Sequence, residues 1–269
     1  MFARAESIRP VIPVFLKGIP AVKKHMTLLA AILAIGVAPM SLAAQQPAAQ
    51  NPAARQQAAK FSVYAPAERI PNLDDLKSQL RQYHDCTCKC GCYGKDLDRQ
   101  ADRAIDYLRI RAARRQPQEK PALVLDIDET TLSNYEEMLK AGFANDSKAF
   151  AAWVDTAQAP AIAGTLRLYQ EAQRQGVSVF FLTGRAEAQR SATEQNLRSQ
   201  GFTNWQQLIM RPPAQASWTA LRYKSAARAT IVAQGYRIIE SVGDQWSDLK
   251  GNPVAEFSVK YPNPYYLIP

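Results

Sequence analysis

Four carboxylates, a lysine and a threonine are spaced along this 269-residue chain so that they could share one site. The stretch LVLDIDETTLSNY, Leu123 to Tyr135, runs apolar residues straight into Asp126, Asp128 and Glu129, with Thr130 and Thr131 behind them. LTGR brings Thr183, Gly184 and Arg185, YKSAAR brings Lys224, and GDQWSD brings Asp244 and Asp248. Crowded carboxylates repel, and desolvating them is expensive unless something compensates. A hard divalent cation with oxygen ligands would do so, and Mg²⁺ suits a site with few protein ligands and several waters. Thr183, with its neighbouring backbone N–H groups, and Lys224 would then face an anion, most simply a phosphoryl group.

These residues need a scaffold that gathers strand ends. ALVLD, VSVFFLTG, QQLIM, YRIIESVGD and VAEFSV read as strands. AIAGTLRLYQEAQRQG, EAQRSATEQNLRSQG and ALRYKSAARATIVAQG read as helices, each closed by a glycine. Strands alternating with helices of this length predict a three-layer α/β sandwich around a central parallel sheet with right-handed crossovers. In such sheets the site lies beyond the carboxyl ends of the strands. Asp126, Asp128, Thr183, Arg185, Asp244 and, one turn on, Asp248 all fall there. Each has a plainer reading on its own. A strand-end Asp caps a turn, Thr-Gly is a turn, Lys224 is a solvated helix residue, and GDQWSD is a turn with Trp246 in the core. Their shared location and order favour the chemical reading.

DIDET, LTGR, YKSAAR and GDQWSDL resemble the four motifs of the haloacid dehalogenase (HAD) superfamily. The likeness is closer to its acid phosphatase branch, which holds bacterial class B and class C acid phosphatases and plant acid phosphatases related to vegetative storage proteins. VLDIDETTLSNY is similar to the class C signature, while GDQWSDL and the tail VKYPNPYYLIP look like the plant-type members. The resemblance spans roughly Leu80 to Pro269. It implies a Rossmann-like core over residues 67–269 with a small helical cap at about 135–161 and an N-terminal helical extension. It also implies a Mg²⁺-dependent phosphomonoesterase. Asp126 would attack phosphorus and become an aspartyl-phosphate. Asp128 would protonate the leaving group and then deprotonate water. Asp126, the main-chain carbonyl of Asp128, and Asp244 would hold the metal, and Asp248 would orient its waters. Thr183 and Lys224 would bind the transferring oxygens. Arg185 could bind substrate phosphate or pair with an acid as structure. The expected substrate is a small phosphomonoester, a nucleoside monophosphate among the options, stacked by Tyr135, Phe143, Phe150 or Trp153 unless these aromatics form the core of the cap. The alternative is a non-catalytic storage or metal-binding protein on the same fold; storage relatives can lose the nucleophilic Asp, which is present here.

The cysteines stand apart from this pattern. HDCTCKCGCYGK holds Cys86, Cys88, Cys90 and Cys92, the only four in the chain. Three readings stay open: disulfides Cys86–Cys92 with Cys88–Cys90, links between chains, or a thiolate site for Cu(I) or Zn²⁺ with His84. No spacing of a structural zinc finger is present.

Residues 1–44 read as an export signal. Lys23, Lys24 and His25 precede MTLLAAILAIGV, and Ser41-x-Ala43 or Leu42-x-Ala44 offers a cleavage site. Pro39, Pro47 and the Gln-rich continuation argue against a stable membrane anchor. Residues 45–66 form an Ala/Gln/Pro-rich linker. The protein is therefore expected in the periplasm or secreted. The formal charge of +9 falls to +5 beyond residue 43, where 28 basic residues face 23 acidic ones. That surplus helps attract anionic substrates, but no nucleic-acid motif accompanies it. Nothing in the sequence sets the oligomeric state.

Overall fold

Short apolar runs of β-branched and aromatic residues build five strands, all paired in parallel. The computed structural model describes residues 70–88 and 92–269. The expected signal and linker, and Cys90, lie outside them. Helices α1 (Leu73–Asp85) and α2 (Tyr93–Ala113) lead into β1 (Lys120–Leu125). Two short helices follow, α3 (Tyr135–Lys140) and α4 (Ser147–Asp155), and make the small cap expected there. Then come α5 (Ala163–Arg174), β2 (Ser178–Ala186), α6 (Arg190–Ser199), β3 (Gln207–Arg211), α7 (Ala220–Ala233) and β4 (Tyr236–Gly243). The one-turn α8 (Trp246–Leu249) and β5 (Phe257–Lys260) complete the order.

The strand order is β3-β2-β1-β4-β5. The chain therefore winds outward from β1 through β2 to β3, then returns to the other side of β1 for β4 and β5. Such a reversal opens a crevice at the strand ends beside β1, which is where α/β sheets bind ligands.

Side-chain alternation along β1 shows the three layers. Leu123 and Leu125 pack with Leu108 of α2, Leu168 of α5 and Leu197 of α6. Ala122 and Val124 pack with Tyr223, Ala227 and Ile231 of α7. Helices α2 and α5 approach closely because Gly164 carries no side chain; a Cβ there would lie 2.7 Å from that of Ala101. Arg109 of α2 ties to buried Glu171 of α5 at 3.1 Å.

Helix α1 buries no residue and is held by its end. The Tyr83 hydroxyl donates to Asp96, its ring meets Tyr93 edge-on, and His84 stacks on Tyr135 at 3.3 Å between centroids. A Cys86–Cys92 disulfide closes the loop between α1 and α2, one of the pairings left open by the sequence. The Cys88 Sγ lies 3.0 Å from that of Cys86 and 3.6 Å from that of Cys92.

Helix α7 begins at Ala220, the start of the stretch read as helix, where the Thr219 side chain caps it by accepting from Arg222 N–H, so Lys224 sits a full turn inside. The strand read in VAEFSV is shorter than the sequence reading: it pairs in register with β4 from Phe257, with Glu256 N–H donating to Ile238 O at 3.1 Å just before it.

Candidate active site

The crevice beside β1 is a cavity of about 760 Å³ whose lining includes Asp126, Asp128, Lys224 and Asp244. β1 hands the chain to Asp126, whose N–H donates to Val242 O of β4 at 3.0 Å, so the two strand ends are locked together. The chain then turns back sharply. Thr131 and Leu132 N–H both reach Ile127 O, and Glu129 adopts φ +57°, a left-handed conformation unusual for a residue with a side chain. What holds Glu129 there is its buried carboxylate, which accepts from Asn134 N–H at 2.7 Å and from the Tyr266 hydroxyl at 2.7 Å. Burial, with the charges of Asp128 and Asp244 adding to it, pushes the Glu129 carboxyl up to about 8.

Asp126, Asp244 and Asp248 are all buried and bring carboxylate oxygens within 4.8 Å of one another. Lys224 Nζ donates to Asp126 Oδ1 at 2.6 Å and also to Asp248 Oδ1. Burial works to lower the Lys224 ammonium, but Asp126 and Asp248 outweigh it and hold the group above its ordinary value. Burial, followed by the charge of Asp248, raises Asp126 well above the usual carboxylate range despite Lys224. Asp244 is raised by burial and Asp248, opposed by Asn263 and Gln245, whose side-chain amides donate to its Oδ2 at 2.7 and 2.6 Å. Gly243 makes this corner possible. A Cβ there would lie 2.3 Å from the Asp248 side chain, so only glycine lets Asp248 fold back over the end of β4. The oxygen-only donor set fits a hard divalent cation, with Asp126 and Asp244 as ligands and Asp248 already held by Lys224 and by Gln245 N–H at 2.8 Å.

The second carboxylate of the DIDET stretch is held separately. Asp128 accepts from Arg185 Nε at 3.0 Å and Nη2 at 2.7 Å, and from Asn134 Nδ2 at 3.0 Å. Arg185 and Asp128 thus form an ion pair. Thr183 is fully buried, and its hydroxyl lies 3.4 Å from Asp128 as donor while accepting Arg185 N–H at 3.1 Å. Gly184, next along, reaches the cavity wall.

The far wall comes from the cap and the C-terminal tail. Phe143, Phe150, Tyr265 and Tyr266 line it. Trp153 and Tyr135, nominated from the sequence, turn elsewhere: Trp153 buries against the core with its indole N–H on Asn134 Oδ1, and Tyr135 stacks on His84. The supporting residues Asn134, Gln245, Asn263 and Tyr266 were not foreseen. Gln245 lies inside GDQWSD and the last two inside VKYPNPYYLIP, so the tail motif carried their signal without showing what they touch.

A parallel sheet with buried carboxylates and a lysine at its switch point places this cluster where α/β folds bind their ligands. The chain belongs to the HAD superfamily, subfamily IIIB (acid phosphatase), whose profile matches residues 42–269, and it is an enzyme of that acid phosphatase class. It is 39% identical over 179 residues to acid phosphatase 1 of Solanum lycopersicum, covering 65% of this chain and 69% of that protein. It is 38% identical over 161 residues to a stem 31 kDa glycoprotein of Glycine max, covering 58% of this chain and 63% of that one. Its fold is shared with the class C acid phosphatase from Bacillus anthracis, at a TM-score of 0.59 and 21% identity over 72% of this chain and 86% of that one.

Proposed function

We propose that the protein is an exported, Mg²⁺-dependent phosphomonoesterase that works through an aspartyl-phosphate on Asp126. The observation that carries this reading is the convergence of Asp126, Asp244 and Asp248 within 4.8 Å, with Asp126, Asp244 and Lys224 lining the cavity and Lys224 bridging Asp126 and Asp248. Bound Mg²⁺ would neutralise carboxylate and phosphoryl charge and so let the two anions meet. Asp126 Oδ attacks phosphorus, and the bond from phosphorus to the ester oxygen breaks. Asp128 gives its proton to that oxygen. Water then attacks the aspartyl-phosphate while Asp128 takes back a proton, releasing phosphate and freeing Asp126. Arg185 and Asn134 fix the Asp128 carboxylate for both transfers. Lys224 tempers the charge on Asp126 and meets the transferring oxygens.

Export rests on the sequence at Lys23–Ala44 and gains support from the Cys86–Cys92 disulfide, a bond that persists in oxidising compartments. None of the described helices is long and apolar enough to cross a membrane. Mass spectrometry of periplasmic or secreted protein should find an N-terminus just after Ala43 or Ala44, and a chain retaining Met26–Val37 would overturn export.

The assay is phosphate release from p-nitrophenyl phosphate and from a nucleoside 5′-monophosphate, with Mg²⁺ or with chelator, beside Asp126→Asn. Release that needs the metal and vanishes in the variant supports the reading. A native protein inert on both substrates would instead favour a storage role, the role that the names of two Arabidopsis thaliana relatives carry.

A further inference from the structure

Three cations line the cavity among the described residues: Arg185, Lys224 and Arg211. Two are already committed. Arg185 is forked onto Asp128, and Lys224 is shared by Asp126 and Asp248. Arg211 has no ion pair among the described residues and makes one hydrogen bond, from Nη1 to Trp218 O at 3.3 Å. Its Nε is buried without a partner. A guanidinium carries five N–H donors, and a buried N–H without an acceptor is out of keeping with how buried polar groups are normally satisfied.

Its position says what acceptor is missing. Arg211 ends β3 and pairs in register with Ala186, at the end of the strand that carries Thr183, Gly184 and Arg185. The side chain reaches back over that strand end: a Cβ built on Gly184 would meet Arg211 Nη2 in ordinary contact at 3.9 Å, and both residues line the cavity. The guanidinium lies over the Tyr223 ring, 4.9 Å from its centroid, one residue before Lys224 on α7. That ring supports the cation from below and holds it without using its donors.

We propose that Arg211 is a second substrate-binding cation of this site beside Lys224, gripping non-bridging oxygens of the phosphoryl group with the planar fork that suits phosphate. The assignment rests on the phosphomonoesterase reading. It moves the anion-gripping role from Arg185, which the TGR motif would nominate, to a residue two strands away from the nucleophile. Arg185 becomes the positioning residue for Asp128.

The test compares wild type with Arg211→Gln and Arg211→Lys. The readouts are KM and kcat on p-nitrophenyl phosphate, Ki for inorganic phosphate, and the rise in melting temperature that inorganic phosphate produces without turnover. Arg211→Gln should raise KM and the phosphate Ki together, by roughly 10- to 100-fold, with a smaller change in kcat. Arg211→Lys should recover part of the loss. A phosphate Ki for Arg211→Gln within about twofold of wild type would overturn the assignment, whatever happens to its melting temperature, and leave Arg211 as a prop for Tyr223. If wild type releases no phosphate from esters, the phosphomonoesterase reading fails by itself. The phosphate-induced melting shift then still decides Arg211: lost in Arg211→Gln, the anion site stands; equal in both proteins or absent from both, it falls.

Discussion

Strand β4 buries two carboxyl groups four residues apart, and the two have opposite surroundings. Asp244, at the end of the strand, accepts from Thr130 Oγ1 at 3.1 Å and from two side-chain amides. Glu240, in the middle of the strand, is 0% exposed, and neither of its oxygens has a hydrogen-bond partner among the described residues. Burial alone raises Glu240 well above the ordinary glutamate range, which favours its neutral form. Asp244 is raised as well, but donors on its oxygens and the nearby Lys224 pull the other way. The contrast teaches how to read buried acid in this molecule. A carboxyl meant to carry charge is surrounded by donors and by other carboxylates that a cation can join. One that only fills space is left alone, which favours its protonated form.

The comparison can be broken most severely at the nucleophile. Asp126→Asn should reduce phosphate release by roughly 10⁴-fold or more while the protein stays folded, since it removes the attacking group. Retained activity with an intact fold would remove the site from the crevice.

Next in size is the lysine. Lys224→Met leaves Asp126 and Asp248 buried without their cation, and urea unfolding in chelator should show a loss of about 3–5 kcal/mol. A loss under about 1 kcal/mol would mean that Lys224 behaves like a surface lysine.

Metal should then sharpen the difference between the two carboxyls. Mg²⁺ at about 100 times its Kd should stabilise wild type by about 2.7 kcal/mol. The gain should shrink in Asp244→Asn and be unchanged in Glu240→Gln.

The smallest effect is that of Glu240 itself. Its folded pKa is raised, so its contribution to stability is intact in acid and is lost progressively as pH rises above the ordinary glutamate value of 4.5. Glu240→Gln cannot lose a proton. It should match wild type near pH 4 and gain on it at higher pH, by at most about 1.4 kcal/mol per pH unit. Denaturation midpoints across pH 4 to 8 would check this, and parallel curves would show Glu240 to be partnered.

Much of this was legible in the sequence because the strand ends are local. ALVL into Asp126, and YRIIESVG into Asp244, show a buried strand terminating in charge, and the alternation of elements gives the parallel sheet. What was hidden depends on contacts across the chain. Arg185 meets Asp128 over 57 positions, and Asn263 of the tail meets Asp244 over 19. Periodicity carries no information about such pairs. The aromatics of the cap divided for a similar reason. Phe143 and Phe150 face the cavity, whereas Trp153 turns inward because Asn134, itself fixed by the Glu129 turn, offers its indole an acceptor. Arg211 could have been found by extending the strand-end rule one residue past QQLIM, since it stands at the end of β3 as Asp126 stands after β1.

The measurement closest to the central claim is the trapping of the covalent intermediate. Native protein mixed with a phosphomonoester and Mg²⁺ would be quenched in acid within the first turnovers, digested, and examined by mass spectrometry. The account predicts a phosphoryl group on the peptide carrying Asp126, removed by hydroxylamine as an acyl phosphate should be, and absent from Asp126→Asn. Continued turnover with no phosphorylated peptide, or a phosphoryl group on another residue, would contradict it.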